Sequence, residues 1–168
     1  MSGMAQRPLR YFGDPVLTTA ASPVERFDDG LRVLVRDMEA TMDAAGGVGL
    51  AANQIGVTQR VFVYACLGMR GHLINPVWHP LGDAMQTGGE GCLSIPGIRA
   101  DVTRHAAVVA TGYDMYGRPV TLRANGLLAR CIQHETDHLD GVLFLSRMEP
   151  ADRKAAMAEI RAADWFNN

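Results

Sequence analysis

Residues 134–138 read His-Glu-Thr-Asp-His. Histidines four apart on a helix lie on one face, about 40° apart at roughly 100° per residue. Both imidazoles can therefore reach one divalent ion. Glu135 points about 60° away from His138 on the same flank. There it can touch a water on that ion without ligating it, which suits a general base. Leu127 and Cys131 fall on the face that carries both histidines.

Two ligands are too few for such an ion, and several residues compete to be the third. The extended pattern HExxHxxGxxH matches through Gly141 but has Phe144 where its third histidine belongs. Glu159, 21 residues beyond His138, has the spacing of a thermolysin-like glutamate ligand. Cys131 lies on the right face, but a full turn behind His134, and three ligands from one helix converge poorly. Cys131 therefore reads as pocket wall or core. Cys92 sits in Gly88-Gly89-Glu90-Gly91-Cys92-Leu93-Ser94, which reads as a glycine-rich turn. Glycines permit the close backbone approach that a ligand or substrate needs. Cys66 ends an apolar run and reads as core. A second glycine-rich stretch, Gly46-Gly47-Val48-Gly49-Leu50-Ala51-Ala52-Asn53-Gln54, lacks the Gly-Lys-Ser/Thr of a phosphate-binding loop. Gln54 is a neutral donor that can face an oxyanion.

Together these stretches resemble peptide deformylases. That family carries GxGΦAAxQ, EGCΦS and QHEΦDH in this order, with Φ apolar. The chain has Gly47-Val48-Gly49-Leu50-Ala51-Ala52-Asn53-Gln54, then Glu90-Gly91-Cys92-Leu93-Ser94, then Gln133-His134-Glu135-Thr136-Asp137-His138. The likeness extends from Gly13-Asp14-Pro15-Val16-Leu17 to about Met148. The one departure within the motifs is Thr136, a polar residue at an apolar position; it points away from the metal face and so concerns packing.

The resemblance implies hydrolysis of the formyl group from the N-terminal formyl-methionine of new bacterial or organellar polypeptides. It implies one divalent ion per chain held by Cys92, His134 and His138, Fe(II) as the native metal, and Zn, Ni or Co able to replace it. On this reading a metal-bound water is the nucleophile and Glu135 the general base and acid. The metal, the Gln54 side-chain amide and the Leu93 backbone N–H meet the oxyanion. Leu127 and Cys131 wall an apolar pocket for the methionine side chain. Val48, Gly49 and Gly91 offer backbone hydrogen bonds to an extended peptide. Glu90 pairs with Arg104 or Arg99 to brace Cys92. The partners are N-formylmethionyl nascent chains, with transient ribosome contact; few basic residues mark the C-terminal end, so docking through a basic tail is not expected.

Several elements must position these groups. Asp28-Asp29-Gly30 offers an N-cap, and Leu31, Leu34, Val35, Met38 and Met42 form one apolar stripe of a helix that Gly46-Gly47 stops. Strand patterning covers residues 60–66, 72–75, 98–103, 106–113 and 119–123, with a hairpin turn over 114–117. Helical spacing runs from about Asn125 to Leu139, and a last helix follows Pro150 to about Asp164. The fold class is therefore α+β, with antiparallel strands packed around a central helix bearing the two histidines and a helix at the C-terminus. Residues 1–168 read as one catalytic domain, with a flexible N-terminus over about 1–10 and a C-terminal helix over about 150–168.

The whole chain narrows the class further. Its 168 residues suit a single domain, and 16 basic against 18 acidic side chains give a net charge of −2. That balance argues against a strongly basic nucleic-acid binder. No apolar run is long enough to span a bilayer. The N-terminus lacks the apolar core of a secretory signal, so a cytoplasmic location is expected, bacterial, or organellar after loss of a transit peptide. Three cysteines, Cys66, Cys92 and Cys131, do not make a disulfide framework.

Overall fold

The computed structural model describes residues 5–167. Helix α1, Asp29–Ala45, begins where the Asp28 carboxylate accepts the Leu31 N–H at 3.0 Å, and ends at Gly46, whose φ of 71° is left-handed. Its stripe of Leu31, Leu34, Val35, Met38 and Met42 is buried against a sheet. That sheet comprises β1 (Gly49–Ala51), β2 (Val61–Cys66), β3 (Met69–Pro80), β6 (Ala107–Tyr113) and β7 (Pro119–Asn125), antiparallel and in that spatial order. Strands β4 (Met85–Cys92) and β5 (Ile95–His105) form a separate antiparallel pair.

Helix α2, Gly126–Leu139, carries the two histidines between these layers. Every residue from Leu128 to Leu139 is buried. Its apolar side, with Leu128, Ala129, Ile132 and Leu139, packs on Phe62, Tyr64, Leu73, Val108 and Ala110 of the large sheet. Helix α3, Pro150–Ala162, lays Ala156 and Ile160 against Ile95, Ile98 and Val102 of β5. A single turn, α4 (Asp164–Asn167), follows it.

Three strands depart most from the sequence pattern, each for a local reason. β1 lies in the second glycine-rich stretch and β4 replaces what read as a glycine-rich turn: Gly88, Gly89, Glu90 and Gly91 pair with Val102, Asp101, Ala100 and Arg99. Glycine is depleted in strands, which hid them. Here Arg130 and Arg99 fill the space over Gly88 and Gly91 that side chains would occupy. β3 starts earlier because Leu67 and Gly68 both take positive φ in the tight β2–β3 turn. It continues through Pro76 because the register shifts between Ile74 and Val77, with Asn75 at φ 52°. Asn75 exchanges two hydrogen bonds with the Val24 backbone, at 2.8 and 3.0 Å.

At the N-terminus, residues 1–4 lie outside the described residues. Over residues 5–10, the Ala5 N–H donates to Asp37, the Arg7 N–H to Thr41 and the Arg10 N–H to the Gln54 carbonyl. No periodicity in the sequence signals these three tethers.

Candidate metal centre

Three elements deliver the centre. Helix α2 supplies His134 and His138, whose ring centroids lie 5.0 Å apart. The end of β4 supplies Cys92. The turn after β1, Ala52–Ile55, supplies Gln54. The ligating atoms of Cys92, His134 and His138 all lie within 4.8 Å of one another. The Cys92 Sγ is 3.3 Å from His138 Nε2. For an ion bound tetrahedrally at ordinary Zn–S and Zn–N lengths, that edge would be about 3.6 Å, so the donor set fits a divalent ion.

The alternatives from the sequence do not meet this group. Glu159 is exposed on α3 and is absent from the cluster. Cys131 is buried beside the cleft and aims its Sγ at the Val48 carbonyl, 3.5 Å away. Cys66 is core, its Sγ on the same carbonyl at 3.6 Å.

The two imidazoles are held differently. His134 Nδ1 meets the Glu90 carboxylate at 2.8 Å, which leaves Nε2 for an ion. Arg104 pairs with Glu90 through two bonds of 2.9 Å, and Arg130 adds a third contact at 2.5 Å. Of the two partners the sequence offered for Glu90, Arg104 is the one that binds it. Arg130 was missed, although it stands four residues before His134 on the same helical face. Arg104 also reaches Asp137 at 2.7 Å, and Arg147 closes the network with bonds of 3.0 and 3.1 Å to Asp137. Burial pushes the Glu90 carboxyl up, but Arg104 and His134 outweigh it and hold the group well below the usual range. Burial lowers the His134 ring too, and the Cys92 and Glu90 contacts reverse that, raising it well above the ordinary value. His138 is driven well below its ordinary value by burial and by His134, so it stays neutral, the ligating form.

Glu135 sits against the same space. Burial pushes its carboxyl up to about 7, and its Oε1 has no hydrogen-bond partner among the described residues. A group poised near neutrality and free to accept a proton is suited to general-base work. Gly49 is required here, because a Cβ on it would lie 2.6 Å from Glu135 Oε2 and 2.7 Å from Cys131 Sγ.

Gln54 is buried and its amide is oriented. Its Oε1 accepts the Ala51 N–H at 2.9 Å, and its Nε2 donates to Ser94 Oγ at 3.1 Å and faces Cys92 Sγ at 3.6 Å. Two further amides fix the frame. Gln133 makes two bonds with the His105 backbone, at 2.9 and 3.0 Å, and Asn53 donates to the His138 carbonyl at 2.6 Å. Thr136 is buried with its hydroxyl unpartnered among the described residues, a packing cost at the one departure from the motif.

The centre opens into a cleft of about 730 Å³. Val48, Gly49, Gln54, Gly91, Cys92, Leu93, Leu127, Cys131, His134 and Glu135 all line it, so the site residues read from the sequence meet in one place; His138 lies behind them, almost fully buried. Tyr11, Pro96, Gly97 and Arg99 also line it and were not anticipated. Tyr11 lies far from every motif in sequence and carries no spacing signal.

Thiol, two imidazoles and a buried carboxylate around one open cleft define a metallohydrolase centre of the HExxH type. Residues 6–154 match the family model of polypeptide deformylase. Peptide deformylase 1 of Corynebacterium efficiens is 60% identical over 168 residues, covering 98% of this chain and 99% of that protein. The peptide deformylase of Acidothermus cellulolyticus is 56% identical over 162 residues, covering 96% and 89%. The crystal structure of a peptide deformylase from Legionella pneumophila superposes with a TM-score of 0.88 at 38% identity, covering 94% of this chain and 95% of that one. A peptide deformylase from Synechococcus elongatus in complex with actinonin gives 0.87 at 42% identity, covering 94% and 90%. The chain belongs to the peptide deformylase family and is an enzyme of that class, a hydrolase.

Proposed function

We propose that the enzyme removes the formyl group from the N-terminal formyl-methionine of nascent polypeptides. Water and the formamide give formate and a free amine. The observation that carries this reading is the convergence of Cys92, His134 and His138 beside buried Glu135 in an open cleft. Those three residues would hold one divalent ion, Fe(II) in the native enzyme, with Zn, Ni or Co as substitutes that thiolate and imidazole ligands also accept. When bound, the ion supplies a water of lowered pKa and positive charge beside the developing oxyanion.

The chain's own residues do the rest. Glu135 takes the proton of the attacking water and passes it to the departing amine. The oxyanion is met by Gln54 Nε2, whose orientation Ala51 and Ser94 fix, and by the Leu93 N–H. Leu127 and Cys131 wall the pocket for the methionine side chain. Val48, just before edge strand β1, Gly49, its first residue, and Gly91 on β4 all line the cleft and hydrogen-bond an extended peptide.

Work on nascent chains places the enzyme in the bacterial cytoplasm. Among the described residues no helix is long and apolar enough to cross a membrane. On α3 and α4, Arg153, Lys154 and Arg161 are matched by Asp152, Glu159 and Asp164, which gives ribosomal RNA little electrostatic hold. Contact with the ribosome is accordingly transient.

The test is formate release from formyl-Met-Ala-Ser by the metal-loaded enzyme and by Glu135→Ala. The variant should keep its metal and lose about 10²–10⁴ in kcat. Undiminished turnover by the variant would remove Glu135 as the base.

A further inference from the structure

The turn α4 packs on two residues that line the cleft. Trp165 Nε1–H donates to the Pro96 carbonyl at 3.1 Å. Its ring lies 6.0 Å from that of Tyr11, tilted by 40°. Next to it, Phe166 lies 6.0 Å from Phe12, and the Trp165 and Phe166 rings meet edge to face at 5.9 Å. Both elements that Trp165 grips, Tyr11 and Pro96, line the cleft. The segment it packs on is also tied to the centre. The Arg10 N–H donates to the Gln54 carbonyl at 2.7 Å and the Phe12 N–H to the Ser94 carbonyl at 2.9 Å.

We infer that Trp165 is a positioning residue for substrate: it clamps Tyr11 and Pro96 as one wall of the cleft, against which the peptide lies beyond its first residue. This rests on the deformylation reading, in which the formyl group and the methionine side chain occupy the end of the cleft formed by Cys92, Gln54, Glu135, Leu127 and Cys131. Tyr11 and Pro96 belong to neither that centre nor the α2 pocket, so they are left to contact the rest of the chain. Trp165 is 69 residues from Pro96 and much further from Tyr11 in sequence, so only the fold brings the wall together. Indole is suited to this, since one ring packs on Tyr11 while its N–H fixes a carbonyl.

The test compares formyl-Met-Ala-Ser with formyl-methionine, which has nothing beyond the first residue. Trp165→Ala should raise KM for the tripeptide by about threefold to tenfold, the worth of a lost aromatic contact, with kcat moving by less than about twofold. KM for formyl-methionine should stay put. Trp165→Phe keeps a ring on Tyr11 and should recover part of the loss. Tyr11→Ala should reproduce the effect and carries the test if Trp165→Ala does not fold. Equal changes for both substrates, no change, or a loss confined to kcat would overturn the assignment. If the wild-type enzyme releases formate from neither, the deformylation reading fails, and the wall is read by fluorescence instead. In Trp78→Phe, Trp165 is the sole tryptophan, and its emission should shift on adding formyl-Met-Ala-Ser; an unchanged spectrum overturns the inference.

Discussion

On the proposed reading Cys92 distinguishes this centre among HExxH sites, because as a ligand it would put a thiolate where a carboxylate or a third imidazole could stand. A thiolate beside an oxidisable ion is exposed to oxygen chemistry. Cys92 is only partly buried and lines the open cleft, so oxygen has access. Activity of the iron form should therefore decay in air, while the nickel form should last. Parallel incubations sampled for formate release check this, and equal decay of the two forms would contradict it. Most of the residues that meet here were legible before the fold. His134, Glu135 and His138 declare themselves by helical spacing, but no spacing rule could rank Cys92 over Glu159 as the third ligand. The glycines around Cys92 and the family likeness favoured it, and the structure brings it to the histidines: the Cys92 Sγ lies 3.3 Å from His138 Nε2, while Glu159 is exposed on another helix.

At the scale of elements, α2 is held by a chain of ionic contacts that is buried from His134 through Glu90 and Arg104 to Asp137 and ends at exposed Arg147. Glu90 is its hub, 5% exposed, and faces two guanidinium groups at once. Removing one member of such a cluster leaves the others buried and uncompensated. Glu90→Gln should cost about 3–5 kcal/mol of stability, read by denaturant unfolding. It should also weaken metal binding by about 10–100-fold through the freed His134 ring, read by competition with a chelator. Unchanged stability and affinity would show that the hub is dispensable. The elements were read with uneven success for physical reasons. Helix α1 appeared because a 3.6-residue stripe needs only one-sided burial, and α2, although buried from Leu128 to Leu139, because its polar side chains still leave an apolar stripe. β4 did not appear, because its strand identity comes from pairing with β5 and from Arg99 and Arg130 lying over its glycines, neither of which is local.

The whole molecule explains how a cleft of this size stays open beside a metal centre. Three apolar clusters are built mostly from residues outside the centre: one between α2 and the large sheet, one beneath α1, and one between α3 and β5, with Cys92 at the margin of the last. Few of their buried residues touch a ligand. Chelation should therefore abolish activity and leave a folded protein, with far-UV dichroism preserved at ambient temperature and a lower melting point, as loss of any native-state ligand requires. Unfolding on chelation would mean the metal is structural, as in small zinc modules. The α+β class and the order of helices were legible from patterning, but the contact of the C-terminal turn with Tyr11 was not, because it joins the two ends of the chain.

The most direct measurement is a titration of metal-free enzyme with Fe(II) under anaerobic conditions, reading formate released from formyl-Met-Ala-Ser. Activity should rise linearly and break at one ion per chain, and Cys92→Ser should flatten the rise. Formate release undiminished without metal, or an unaltered titration in Cys92→Ser, would contradict a single ion held by one thiolate and two imidazoles.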